Sequence, residues 1–360
     1  MRTFIKKLLV HFCIPLVLLG YVIYIGFIHN LHVTRYLTHR FLIGEPYSEN
    51  YIKWYKWQKK LDNINLIAIG SSRILQFKAE FFTTTFFNMG YLVGTPKQTL
   101  QLIKEKQIKN KTLIISLDQW AFNSEWLRNQ SSFNKPSKPN FFNSSLSAAR
   151  LEDIIKLKLL PLLNSSKNNI LKIGAAANIA LDGITNDGSY YYGKIYQGLL
   201  TNDKKLIVED YEFVDTKNRI KKGDRLFQHG QQSDFLALID FEELVKFNLK
   251  QGNKVIYFFP PFAPTIQNLL KGNNFKYIVD ASNKICQIAK FNNVSFFDYT
   301  FFNSTDQMYI DGFHGGALVY YKIAETMGLK TRKCSFINYF ETTKDGDLVD
   351  ARKKLFTSYK

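Results

Sequence analysis

Four apolar runs bounded by turn signals constrain this chain more than any other feature: NLIAI (65–69), TLIISL (112–117), KVIYFF (254–259) and VSFFDY (294–299). A half-exposed strand alternates apolar and polar residues, whereas near-continuous runs belong to strands covered on both faces, as in a parallel sheet. Segments with helical periodicity lie among and after them, at 73–82, 97–108, 236–251, 275–291 and 316–327. Parallel strands need crossovers, so this alternation predicts an α/β fold: a three-layer, doubly wound, mostly parallel sheet. Ligands of such sheets bind at the carboxyl ends of the strands. One interval, roughly 121–235, breaks the alternation with NQSSFNKPSKPNFFNSS, a helical stretch near 149–163 and the aromatic DGITNDGSYYYG. It reads as an insertion on the active edge that caps or shapes a site.

The N-terminus carries a different signal. Leu8 to Ile28 is 21 residues without a formal charge, long enough as a helix to span roughly 30 Å of hydrocarbon. Arg2, Lys6 and Lys7 precede it, which places residues 1–7 in the cytoplasm and the bulk of the chain outside. A cleaved signal peptide is the rival, but no alanine occurs before Ala68 and Cys13 follows Phe12, so an uncleaved anchor over 8–28 is expected. Residues 29–60 end in YIKWYKWQKK, which fits an interfacial stalk or an amphipathic helix packed on the domain. The main domain then covers 61–330, with 331–360 as a C-terminal tail.

Composition narrows the partners. With 31 Phe and 20 Tyr, a sizeable core is available and global disorder is excluded. Net charge is +18, of which residues 1–60 carry +7 and the remainder +11. Such an excess suits lipid headgroups or an acidic glycan, and an outward-facing anchor argues against nucleic acid. Of three cysteines, Cys13 lies in the expected anchor; Cys286 and Cys334 are compatible with one disulfide or with two buried thiols. No Cys or His spacing points to a metal, and no cofactor is expected.

Gly70-Ser71-Ser72-Arg73 stands where the first strand stops and a helix is predicted to start. A serine there is either a helix cap or a nucleophile at the carboxyl edge of the sheet, near N–H groups that favour negative charge. A nucleophile needs a base. Of six histidines, four lie in or near the expected anchor, leaving His229 and His314. Of all six, only His314 has an aspartate three residues before it, in Tyr309-Ile-Asp-Gly-Phe-His-Gly-Gly. Asp311 so placed can accept from the imidazole Nδ1–H and leave Nε2 to take a serine proton, or it can simply cap the next helix.

A strand ending in Gly-x-Ser near the start and Asp-x-x-His near the end resembles the SGNH (GDSL-type) esterase and acyltransferase superfamily, whose sheet is flavodoxin-like. The resemblance covers roughly 61–330. It implies that Ser72 is the nucleophile, His314 the base and Asp311 its partner, with Ser71 in place of the usual aspartate. It implies further that Gly90, in FFNMGYLVGTP after a short strand, donates its N–H to the oxyanion. The third family block, Gly-x-Asn-Asp, is replaced by ISLDQWAFN. Asp118 stands near the place of the oxyanion-binding asparagine, and Gln119 or Asn123 are the alternative donors. Arg73 reads either as a surface helix residue or as an electrostatic hold on an anionic acceptor.

The single anchor with GSSR and DGFHGG resembles membrane-anchored SGNH proteins of bacterial cell-envelope modification. That likeness implies a catalytic domain on the periplasmic or extracellular side of the cytoplasmic membrane. The acceptor would be an envelope polysaccharide or a teichoic-acid-like polymer, and the partner a multipass membrane-bound O-acyltransferase. An anchored carbohydrate esterase with the same triad, or a non-catalytic glycan-binding scaffold, are the competing readings.

Overall fold

A computed structural model describes residues 63–130, 183–185, 187–192 and 208–332, with positions 13, 16, 17, 40 and 41 beside them. The expected anchor and stalk, much of the insertion, Cys334 and the tail beyond 332 therefore lie outside the described residues, isolated positions apart. Among the described residues no helix is long and apolar enough to cross a membrane. The chain divides into two units. In the first, Arg40–Phe41 pairs antiparallel with residues of the short strand Gly183–Thr185. The second unit (56–135, 187–190 and 194–360) holds the main sheet.

That sheet has five strands: β1 (Leu66–Ile69), β2 (Phe86–Met89), β3 (Thr112–Ser116), β4 (Lys254–Phe259) and β5 (Ser295–Asp298). Their spatial order is β2-β1-β3-β4-β5 and every neighbouring pair is parallel. The chain steps from β1 to β2 on one side, then crosses to β3 on the other. The switch point between β1 and β3 opens a crevice at their carboxyl ends. β1 and β2 are buried throughout, and β5, at the edge, is half-exposed.

Successive residues of β4 show how the faces are covered, because side chains alternate across a strand. Tyr257 meets Phe241 of helix α3 (Phe235–Lys250) edge-on, while Phe258 meets Phe77 and Tyr299 on the other side. α1 (Pro96–Glu105) and α5 (Lys276–Phe291) pack against α3 in one layer. α6 (Ala317–Thr326) lies in the other, where Tyr320 stacks edge-on against Phe77 at 4.8 Å and Tyr321 against Phe81. α1 starts where its sequence says it should: the Thr95 hydroxyl accepts from the Gln98 N–H and Pro96 fills the first turn. Asp234 caps α3 in the same way.

Two helices, α2 (Val214–Lys222) and α4 (Pro264–Leu270), have no counterpart in the sequence reading. α2 buries only Thr216 and Ile220, so it has no apolar stripe to detect, and α4 is seven residues following a proline-rich loop.

The predicted helix 73–82 does not form. Two 3-10 turns, Ser72–Ile74 and Ala79–Phe81, replace it. The carbonyls a helix would have used are taken by other partners. Asn88, at the third position of β2, donates its amide to Ile74 O (2.8 Å) and Phe77 O (2.9 Å), and the Tyr190 N–H donates to Leu75 O. The Asp187–Tyr190 segment of the insertion braces the same turn: the Asp187 carboxylate accepts from the Ala79 N–H at 2.6 Å, and Gln76 donates to Tyr190 O. Cys286, on α5, carries a free thiol.

Asn88 is fully buried, and its Oδ1 also accepts from the Gly90 N–H at 2.7 Å. Asn88→Ala removes three buried hydrogen bonds and strips the Phe77 carbonyl of its amide donor, each loss costing about 1–3 kcal/mol. A loss of about 3 kcal/mol or more in a urea melt is the expected outcome.

Candidate active site

β1 stops at Ile69 because the next residues must pass close to β3. A Cβ on Gly70 would lie 2.7 Å from Ser116 Cβ, so glycine alone lets the two chains approach. The Ser71 hydroxyl turns inward and accepts from the Arg73 N–H at 3.2 Å. Ser72 follows half-buried, at the start of the 3-10 turn. Its N–H makes no hydrogen bond among the described residues.

The second half of the site comes from the loop before α6, some 240 residues later. Asp311 Oδ1 accepts from the Phe313 N–H (2.9 Å) and the His314 N–H (2.7 Å), folding Asp-Gly-Phe-His into a tight turn. Its Oδ2 faces His314 Nδ1 at 2.6 Å, and His314 Nε2 faces Ser72 Oγ at 2.9 Å. Burial by itself would raise the Asp311 carboxyl. The His314 ring and the two backbone N–H groups outweigh burial and hold it below its ordinary 3.8. The His314 and Asp311 side chains keep 15% and 22% of their surface exposed, so the line of three groups opens to solvent. Gly312 packs against Thr216 of α2, whose hydroxyl and N–H bond to Asp210, so α2 fixes the loop from behind.

Serine, histidine and aspartate thus meet as the sequence predicted. The other candidates do not, and the main reason is Arg73. Its guanidinium is neither on the surface nor open to an acceptor: it is 1% exposed. Nε donates to Phe313 O (3.0 Å), Nη1 to Gln119 Oε1 (2.5 Å), and Nη2 to Pro260 O (2.9 Å) and Pro261 O (2.6 Å). Trp120 and Phe262 lie over the group at 4.9 and 4.3 Å. Burial lowers its pKa, and Asp118 foremost pulls in the opposite direction.

Gln119 is not an oxyanion donor, because its amide NH2 is spent on Pro260 O and Thr300 Oγ1, both at 2.8 Å. Nor is Asn123. Its Oδ1 caps the one-turn helix Ser124–Leu127 and its NH2 donates to Gln228 O and His229 O. Gly90 departs from expectation too, since Asn88 Oδ1 takes its N–H. It is nonetheless required at its place: a Cβ there would lie 2.8 Å from Asn88 Oδ1 and 3.1 Å from Ser71 O. Asp118 is 2% exposed and 3.8 Å from Arg73 Nη1, behind Ser71 rather than in the opening.

Sequence reasoning missed Asn88 and the Pro260 and Pro261 carbonyls. An asparagine inside the apolar FFNM strand was the one available signal, because a buried amide must find partners. Among the described residues no group of three or more His, Cys, Asp or Glu is placed to hold a metal.

Arg73→Lys keeps the charge but loses the planar fork that reaches four oxygens. It should cost about 3 kcal/mol or more in denaturant unfolding, because it leaves buried carbonyls unpaired. Asp311, with its folded value depressed, contributes stability that is full above about pH 4 and lost as pH falls through that lower value. Acid melts should therefore fall more steeply below about pH 4 for the wild type than for Asp311→Asn. No family model matches the chain, and no curated protein matches it.

Proposed function

We propose that the protein is a membrane-anchored, extracytoplasmic acyltransferase of the SGNH type. In this reading it moves an acyl group, acetyl in the simplest case, through a Ser72 ester to a hydroxyl of a cell-envelope glycan. The observation that carries the reading is the hydrogen-bonded line Asp311–His314–Ser72, half-open at the carboxyl end of a doubly wound parallel sheet. The anchor over 8–28, the acidic or teichoic-acid-like acceptor and the multipass acyl donor partner belong to the same proposal. They rest on the N-terminal sequence, the +18 charge and the resemblance of GSSR and DGFHGG.

In the first half-reaction His314 Nε2 takes the Ser72 proton as Oγ attacks the donor carbonyl. Asp311, bonded to Nδ1, holds the ring in the required tautomer and stabilises the imidazolium. The Ser72 N–H, unpaired at the start of its turn, is the backbone donor available to the tetrahedral oxyanion, a type of contact worth on the order of 3 kcal/mol. Collapse expels the donor's leaving group, which takes the proton from His314, and Ser72 keeps the acyl group. In the second half His314 deprotonates the acceptor hydroxyl, which attacks the ester, and the proton returns to Ser72. Water in place of the sugar gives hydrolysis by the same steps.

A serine-directed fluorophosphonate should label the wild type at Ser72 and leave Ser72→Ala unlabelled. His314→Ala should slow labelling by on the order of 10³-fold. Equal labelling of wild type and Ser72→Ala would sink the catalytic reading. Incubation with an acetyl ester and an envelope oligosaccharide then separates the chemistries: acetylated sugar identifies a transferase, free acetate alone an esterase.

A further inference from the structure

We infer that Asp118 is held as a neutral carboxylic acid, so that the buried Arg73 guanidinium keeps a positive charge beside Ser72 that Asp118 does not cancel and that serves the negative charge that builds there. The inference deepens the acyl-transfer reading and rests on it for its functional half.

The geometry comes first. Neither oxygen of Asp118 has a hydrogen-bond partner within standard geometry, although the residue is 2% exposed. A carboxylate ion accepts only, and stripped of water it needs donors on both oxygens. The one neighbouring cation does not supply them. Arg73 Nη1 is 3.8 Å away and aims at Gln119 Oε1, while Nε and Nη2 bond to the carbonyls of Phe313, Pro260 and Pro261. Every acceptor on Arg73 is therefore formally neutral. The groups facing Asp118 are Arg73 and Ser71 from the turn after β1, His314 from the loop before α6, and Tyr320 from α6. The Tyr320 hydroxyl is likewise buried without a partner. Ser71 approaches the carboxyl closely enough to steady it and already accepts from the Arg73 N–H. Burial raises the Asp118 value more than Arg73, Ser71 and His314 together lower it.

The consequence is a matter of charge placement. With Asp118 ionised, Arg73 would be offset and Asp311 would leave a net negative charge around Ser72, opposing an oxyanion. With Asp118 neutral, Arg73 and Asp311 balance across the site. Proton transfer from Ser72 then generates an imidazolium beside Asp311 and an oxyanion on the side of Arg73, so each developing charge has a fixed counter-charge. Arg73 needs no hydrogen bond to the reacting atoms for this. It is a positioning residue whose field acts through a dry interior.

Infrared difference spectra and two isosteric variants test the inference. Wild type minus Asp118→Asn at neutral pH should show the carbonyl stretch of a protonated carboxylic acid, shifting in deuterium oxide. A raised folded value stabilises fully below the unfolded pKa and is lost as pH rises through the folded one. The wild type should therefore lose Tm relative to Asp118→Asn as pH rises above the unfolded value of about 4. Gln119→Glu places a carboxylate directly on Arg73 Nη1, and the folded variant should react with fluorophosphonate at least about ten-fold more slowly than wild type. An absent carbonyl band, a Tm difference flat with pH, or a folded Gln119→Glu that labels at the wild-type rate overturns the inference. Failure of the wild type to label at Ser72 removes the acyl-transfer reading instead, and the infrared and Tm results still decide the state of Asp118.

Discussion

The site depends on one buried cation. Taking a guanidinium out of water costs several kcal/mol after relaxation, and the interior must return this through hydrogen bonds. Arg73 collects its bonds from residues that are far apart in sequence: Gln119 after β3, Pro260 and Pro261 after β4, and Phe313 beside His314. The ends of three neighbouring strands and the histidine loop are thus tied to the residue that follows Ser72. A proline-rich turn suits this role because its carbonyls have no strand or helix partner to give up. The flat guanidinium also takes Trp120 and Phe262 on its faces, so the ion sits in an aromatic slot that excludes competing water.

That tie explains how His314 arrives 2.9 Å from Ser72 across 242 residues of chain. The bond from Arg73 Nε to Phe313 O fixes the backbone one residue before the histidine. The Asp311 turn and the wedge of Thr216 against Gly312 then leave the imidazole one direction to point. On the other side, Asn88 holds the turn after Ser72 by taking carbonyls that would otherwise continue a helix. The same amide claims the Gly90 N–H. The turn after β1 is held rigidly in this way, and the Gly90 N–H is spent inside it.

Strand runs, their parallel pairing and the Ser–His–Asp line were legible because each rests on local pattern. Three of the four apolar runs are largely buried strands, VSFFDY being half-exposed because it forms the edge of the sheet, and Asp-x-x-His makes its own turn whatever surrounds it. Arg73, Gln119 and Asn123 were misread for the opposite reason. Their roles are set by partners at 260, 300, 313 and 228, and nothing in the neighbouring residues reports whether an amide or a guanidinium points in or out. The segment 73–82 was misread through propensity: RILQFKAEFF has the composition of a helix. Its carbonyls, however, are claimed by Asn88 and by the Asp187–Tyr190 strip, a tertiary override of a weak local preference.

The paired serines show how sharply such constraints divide like residues. Ser71 and Ser72 have the same chemistry and adjacent positions, and a strand end sends neighbours to opposite sides. Ser71 turns toward Asp118 and caps the Arg73 N–H, where its hydroxyl belongs to the buried network. Ser72 turns toward His314 and the opening. Because the Gly70–Ser116 approach leaves no space for a Cβ, the chain cannot slide by one residue to exchange them. Which of the two serines faces the histidine is therefore decided by β1–β3 packing. A serine one place earlier would lie against a buried acid with no base in reach.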